Sequence, residues 1–346
     1  MEIRIYDRTF KRLNQIDNFN YLIWTRKYNE VGDFELLLPL TTKNRELFIP
    51  KNIISKTGAL EAGVIEDIEI KEGDENTILI KGRFLESYLQ RYLIKEKMNF
   101  NGRVEEAVKK ILTTHFPVPD VIIPTDNGFP ERISFQATLK SVYTVISKLS
   151  KGSQIGFRMR PDFKGKKIYF ETYKGTDRSV NKKGVQFSEK YGNVNNVEYK
   201  YNDQKYANVA IVGGEGEGTD RKYVIVGATN LSGLDRREIL VDAKDIRIGE
   251  GMTPEEYTEL LKERGRQKLS ENVVAESVEV QTLEEGNFIY KQDYDLGDIV
   301  SVKKESWNIS MKQRITAIDE IYEDGAVTIV PTIGSPLPET IEWGED

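Results

Sequence analysis

Apolar residues recur at every second position through the opening segment: Ile3 and Ile5, Tyr21 and Ile23, then Phe34, Leu36 and Leu38. A spacing of two predicts half-buried strands with one face turned inward. Ile65 to Ile70 and Thr77 to Lys81 flank the polar loop 71–76, where Gly73 suits a turn, and predict a hairpin. From Phe84 the period lengthens. Phe84, Leu85, Tyr88 and Leu89 predict a short helix, and Val104, Ala107, Val108, Ile111 and Leu112 a longer one that starts near Asn101 and ends before Pro117. Another helix is predicted over residues 139–149, with Thr138 as N-cap and Leu139, Val142, Ile146 and Leu149 facing inward. Strands resume at 155–160 and 168–173.

The last third is again strand-rich. Segments 194–201, 207–212 and 222–226 read as one antiparallel group, and strands are predicted around Val278 and Val280, then over 299–302, 314–321 and 327–330. One helix interrupts them: Thr253-Pro254-Glu255-Glu256 sets a capping hydroxyl, a first-turn proline and a glutamate at capping-box spacing, so a helix runs over 254–269. The fold class is therefore β-rich α+β, with a rolled β domain over 1–93, a small α+β domain over 94–189, a second rolled β domain over 190–335 carrying the helix as an excursion, and a tail over 336–346.

The two β regions echo each other. Val31-Gly32-Asp33-Phe34 precedes a strand, and Val64 to Ile70 then leads through Glu72-Gly73 to Thr77-Ile78-Leu79-Ile80. Near the end, Leu296-Gly297-Asp298-Ile299 precedes a strand, and Arg314 to Ile321 leads through Asp324-Gly325 to Val327-Thr328-Ile329-Val330. Repeated units imply repeated architecture, and two small barrels per chain would let a three-fold oligomer present six similar units about its axis.

Charge changes the picture in one respect. Fifty Lys and Arg against 56 Asp and Glu leave a net charge of −6, which excludes a dedicated nucleic-acid binder relying on phosphate neutralisation. The chain holds no cysteine, so thiol chemistry and thiolate metal sites are excluded. No apolar run approaches the roughly 20 residues of a membrane helix, and the charged amino end lacks a signal-peptide core.

Candidate chemistry is thin. The one histidine, His115, falls at a helix C-terminus, where the dipole favours a cation. Glu66 and Asp67 point to opposite faces if their strand is regular, and Glu259 with Glu263 reads as a solvated helix face. Gly213 to Gly218 superficially resembles a phosphate loop, but it lacks the lysine, carries two glutamates and precedes a strand, so it reads as a turn. The sequons at Asn230 and Asn308 carry little weight without a secretory signal. Trp24, Trp307 and Trp343 could stack on sugars, although strand aromatics are more often core. No catalytic, cofactor-binding or metal-binding residue is assigned. The alternative from another class is a glycan-binding protein or a carboxylate-based cell-wall hydrolase.

Three stretches carry a resemblance: Leu22-Ile23-Trp24-Thr25-Arg26 through Gly32-Asp33-Phe34-Glu35-Leu36 and Pro39, the turn from Gly213 to Arg221, and Tyr294-Asp295-Leu296-Gly297-Asp298. Together they resemble siphovirus-type tail-tip hub proteins, related to the baseplate hub of contractile-tailed phages and to the amino-terminal part of tail-associated lysins. The resemblance implies tube-type barrels in a homotrimer that imitates a six-fold ring and joins a hexameric tail tube or distal tail protein to a three-fold tip. It implies a non-enzymatic virion-tail component assembled in the host cytoplasm. The implied partners are the tape-measure protein and a tip or fibre protein or separate lysin. DNA is met only in transit. The chain runs about a dozen residues past its last predicted strand, so cell-wall cleavage is expected from another polypeptide.

Overall fold

A computed structural model describes residues 1–73, 76–123, 126–179, 184–249, 252–282 and 287–334. The alternation of the opening segment becomes β1 (Ile3–Tyr6), β2 (Arg12–Ile16), β3 (Tyr21–Lys27) and β4 (Asp33–Pro39). A short helix, α1 (Thr42–Leu47), leads to β5 (Ile53–Lys56), β6 (Gly63–Lys71) and β7 (Thr77–Phe84). Buried and half-exposed residues alternate strictly along β3 and β4, as period two requires. The predicted hairpin is β6 against β7.

The middle segment contains β8 (Leu93–Ile94), β9 (Met98–Arg103), α2 (Val104–His115), β10 (Val121–Ile122), β11 (Arg132–Ala137), β12 (Lys140–Ser141), α3 (Val142–Ser153), β13 (Gly156–Asp162) and β14 (Lys167–Tyr173). Both helices begin three residues later than the sequence suggests. Asn101 pairs with Ser134 inside the β9–β11 ladder, which keeps the chain extended until Arg103. Likewise β12 pairs with β8, so Ser141, not Thr138, caps α3 by accepting the Thr144 N–H. Leu139, expected to face inward, is 72% exposed. One continuous core joins α2, α3 and β13 to Tyr6, Phe10, Ile53, Val64 and Leu85 of the opening segment.

The closing segment holds β15 (Gln186–Ser188), β16 (Val194–Asn202), β17 (Val209–Gly213), β18 (Tyr223–Gly227), β19 (Glu238–Asp242), α4 (Pro254–Glu271), β20 (Ala275–Thr282), β21 (Ile299–Lys304), β22 (Ile309–Glu323) and β23 (Ala326–Gly334). The capping box forms: Thr253 Oγ1 accepts the Glu256 N–H at 3.1 Å, and Glu256 returns a carboxylate oxygen to the Thr253 N–H at 2.8 Å. The predicted antiparallel group does not form as one. β16 pairs with β20, whereas β17 pairs antiparallel with β18 and parallel with β19, and α4 covers that small sheet. The excursion is thus a sheet with its helix, inserted between β16 and β20.

Among the described residues thirteen strands form one continuous sheet whose main path is β16-β20-β23-β22-β3-β4-β7-β6-β5-β1-β2, with β21 and β15 branching from β22. Within it the same spatial order occurs twice: β3-β4-β7-β6-β5 in the first half and β16-β20-β23-β22-β21 in the second, every neighbouring pair antiparallel. Chain order maps one set onto the other strand by strand. Each half curls, because strands far apart in the ladder share one core: Ile3, Leu22, Phe34, Ile54 and Ile80 in the first, Phe187, Val278, Val300, Ile315 and Ile333 in the second.

The equivalence extends to a bulge. β6 shifts register between Ile65 and Asp67, and β22 between Ile315 and Ala317, at matching places in the two hairpins. The Gly-Asp pairs are not equivalent, however. Gly32-Asp33 leads into β4, whose counterpart is β20, while Gly297-Asp298 leads into β21, whose counterpart is β5.

Candidate functional site: the seam between the halves

β22 belongs to three ladders. Its first part pairs with β21, one edge pairs with β23, and beyond the bulge the other edge takes up β3, from Ala317 opposite Lys27 to Glu323 opposite Tyr21. The Tyr28 N–H donates to the Thr316 carbonyl at 2.9 Å, so the bulged residue starts the new ladder. A bulge raises local twist and redirects an edge, which lets one strand serve two neighbours in turn.

Beneath this seam lies a buried ionic cluster drawn from both halves. Lys56 Nζ meets Glu320 Oε2 at 2.5 Å, and the Tyr322 and Tyr290 hydroxyls donate to the two Glu320 oxygens at 2.7 and 2.9 Å. Arg26 donates to Glu61 at 2.9 Å, to the Tyr290 hydroxyl at 2.7 Å and to Asp295 at 2.6 Å. Arg26, Lys56, Glu61 and Glu320 are each at most 5% exposed. Burial alone would raise the Glu320 carboxyl, but Lys56 and Lys291 hold it at about 2. Every buried charge of the cluster has an opposite partner, the condition under which it persists in a low dielectric.

Sequence reasoning did not assign these residues a role, although two stretches of the resemblance contain Arg26 and Asp295. The usable signal was phase. Arg26 shares the inward parity of Leu22 and Trp24, and Glu320 that of Ile318, so each is a charge on a core face.

The opposite face of the sheet is charged and open. Glu35 accepts from Tyr21 at 2.5 Å and from Lys81 at 2.8 Å, and Arg83 pairs with Glu66 at 2.6 Å. A shallow cleft of about 310 Å³ is lined by Asp33, Glu35, Glu66, Asp67, Lys81 and Arg83. Glu66 and Asp67, placed on opposite faces for a regular strand, both line it because the bulge falls at Glu66, between Ile65 and Asp67. Burial would raise Glu35, yet Lys81 and Tyr21 keep it below the usual carboxylate range, the wrong direction for a general acid.

The other candidates are dispersed. His115 is the last residue of α2. Trp24 is fully buried, Trp307 is exposed beneath Lys304, and Trp343 lies outside the described residues, as does the tail 336–346. Glu259 and Glu263 both pair with Arg266 on an exposed face of α4. Gly213 to Gly218 form the β17–β18 turn, and Asn230 and Asn308 sit in exposed loops. Among the described residues no cluster of potential metal ligands occurs, and no helix is long and apolar enough to cross a membrane.

The doubled, continuous sheet with its α+β middle is the fold of phage tail proteins. The 43 kDa tail protein of prophage MuSo2 from Shewanella oneidensis superposes with a TM-score of 0.61 at 15% identity, covering 97% of this chain and 99% of that one. Tail protein gp18 from a Listeria monocytogenes EGD-e prophage gives 0.58 at 13%, covering 98% and 96%, and a tail protein from Neisseria meningitidis MC58 gives 0.59 at 10%, covering 96% of each. The chain belongs to the Siphovirus ReqiPepy6 Gp37-like protein family, whose model matches residues 2–335. No curated protein matches.

Proposed function

We propose that this chain is a structural hub of a phage or phage-like tail tip, in which three copies close a ring of six similar units around the DNA passage. The observation that carries the reading is the repeated strand order, β3-β4-β7-β6-β5 and β16-β20-β23-β22-β21, within one chain. Two similar units per chain match a six-fold neighbour when three chains assemble, because closed symmetry multiplies the unit count. The units occupy residues 1–93 and, joined by β15, 190–335, and the rest of the α+β domain over 94–189 sits at the periphery. The ring joins a hexameric tube or distal tail protein on one side to a three-fold tip or fibre protein, or separate lysin, on the other. The tape-measure protein is the further neighbour, and the site of action is the virion tail.

The charged outer face of the sheet suits the passage wall. Asp33, Glu35, Asp67, Glu69 and Asp319 share it with Lys81 and Arg83, and such a surface gives a phosphate backbone no continuous basic track to follow. The role is mechanical, with no bond made or broken. Light scattering on the purified protein tests the reading: the expected mass is three chains, and a stable monomer over the micromolar range overturns it.

A further inference from the structure

The two halves differ at one edge. In the second half the stretch of β22 beyond the bulge is sealed by β3. In the first half the matching stretch of β6, from Asp67 to Lys71, pairs among the described residues only with β7, since β5 reaches no further than Val64. At the far end of the sheet β16, the counterpart of β3, pairs among the described residues only with β20. The molecule thus carries one completed seam and, on separate edges, the two halves of a second. They lie seven steps apart along the ladder and are not paired with each other within the chain.

We infer that β6 of one copy pairs with β16 of a second copy of this chain, antiparallel, in the register that β22 and β3 display internally. The inference rests on the ring reading above and specifies its interface. Aligning the hairpins at their bulges makes Asp67 to Lys71 equivalent to Ala317 to Ile321. Carrying the alignment through the neighbouring ladders makes Val197 to Asn202 equivalent to Leu22 to Lys27. The internal pairs Asp319 with Thr25 and Ile321 with Ile23 then become Glu69 with Lys200 and Lys71 with Glu198. Both are opposite charges.

The inward positions agree. Ile70 and Tyr199 are 42% and 36% exposed, and Tyr201 is 54% exposed, where their internal counterparts Glu320, Trp24 and Arg26 are buried. Open edges with apolar side chains invite pairing, and charges select the partner strand and its register. In the single chain Glu69 and Lys71 pair with each other at 3.2 Å, while Lys200 pairs with Glu279 and Glu198. The second seam redistributes these contacts across its two strands.

The absence of cysteine makes the register directly testable. Tyr28 bonding to Thr316 fixes the internal hydrogen-bonding parity, which places Asp319 opposite Thr25 at a non-hydrogen-bonded site. Cα atoms there stand about 4.5 Å apart, within disulfide reach. The double variant Glu69→Cys with Lys200→Cys is expected to give a covalent ladder ending at three chains on mild oxidation. Glu69→Cys with Asn202→Cys, two residues out of register, is expected to link at least tenfold more slowly. A three-chain mass without the in-register link, or with faster linking out of register, overturns this seam and leaves the ring standing. A monomeric mass without linking overturns the ring and the seam together. Glu69→Lys or Lys200→Glu, both at the surface, is each expected to weaken association about fivefold per seam, and the pair combined to restore it. Failure of that rescue also counts against the register.

Discussion

The two halves of the sheet share a strand order but fill it differently. In the first, Phe34 lies across Gly63 and Gly82; a Cβ on Gly82 would stand 1.8 Å from the Val64 carbonyl oxygen and 2.8 Å from the Phe34 ring. At the matching places in the second half stand Val278 and Ile333, both fully buried. One large and one minimal residue have become two of middle size. The ladder fixes where strands lie, while volume only has to balance locally, so two copies of one topology drift apart in sequence without drifting apart in shape. Insertions follow the same logic. The β3–β4 connection is a short turn, whereas its counterpart between β16 and β20 carries β17 to β19 and α4, attached through a loop that leaves the ladder intact.

The sharpest way to break the comparison is at the completed seam. Lys56→Met leaves Glu320 buried without its nearest cation and should lower stability by about 3–5 kcal/mol; adding Glu320→Leu should return most of that, read by denaturant unfolding.

Next comes pH, because two buried carboxyls respond in opposite senses. Glu320 is held at about 2, below its ordinary 4.5, so its contribution is complete above about pH 4.5 and is lost as pH falls toward 2. Glu86 accepts the Met159 N–H, and its other oxygen is buried without a hydrogen-bond partner among the described residues. Burial pushes it up to about 8, so its contribution is complete below about pH 4.5 and is lost as pH rises toward 8. Glu86→Gln should flatten that upper limb by roughly 2–4 kcal/mol in unfolding measured from pH 5 to 9, leaving the acid limb unchanged.

The packing difference offers a finer test. Gly82→Ala should destabilise by about 3 kcal/mol or more, because its Cβ meets the Val64 carbonyl oxygen as well as the Phe34 ring, and Phe34→Val by about 1–3 kcal/mol; the two combined should lose less than the sum, since trimming the ring relieves the ring contact while the backbone contact stays. Additive losses in the double variant would show that the halves are not interchangeable in volume. Smallest is the inserted unit: Thr253→Ala removes the α4 cap and should reduce stability by about 1 kcal/mol without changing oligomer mass.

Much of the sheet was legible, because alternation along Leu22 to Leu38 and in the two long hairpins is a direct image of one buried face. The hairpin part of the echo was sound, down to the residue at which both strands bulge. Its Gly-Asp part was misleading, since Gly-Asp suits the entry to any strand and here marks two different ones. Strand β16 could not be separated from β17 on sequence, because period two specifies a face and not a neighbour. The parallel strand β19 was not anticipated, since pairing across a long connection leaves no local trace. Leu139 was misplaced because a helical stripe continues past the point where β12 holds the backbone extended. The ionic cluster was hidden for a simpler reason: its members are far apart along the chain, and only the seam brings them together.

The cluster under that seam has a mechanical consequence. Hydrogen bonds of an antiparallel ladder lie across the strands, so tension along the sheet's width peels β3 from β22 one pair at a time. Lys56, Arg26 and Glu61 are fixed to the first half and Glu320, Tyr290 and Asp295 to the second, and they part only if several buried charges are bared at once. The join therefore resists as a rivet does, giving nothing until it yields as a whole.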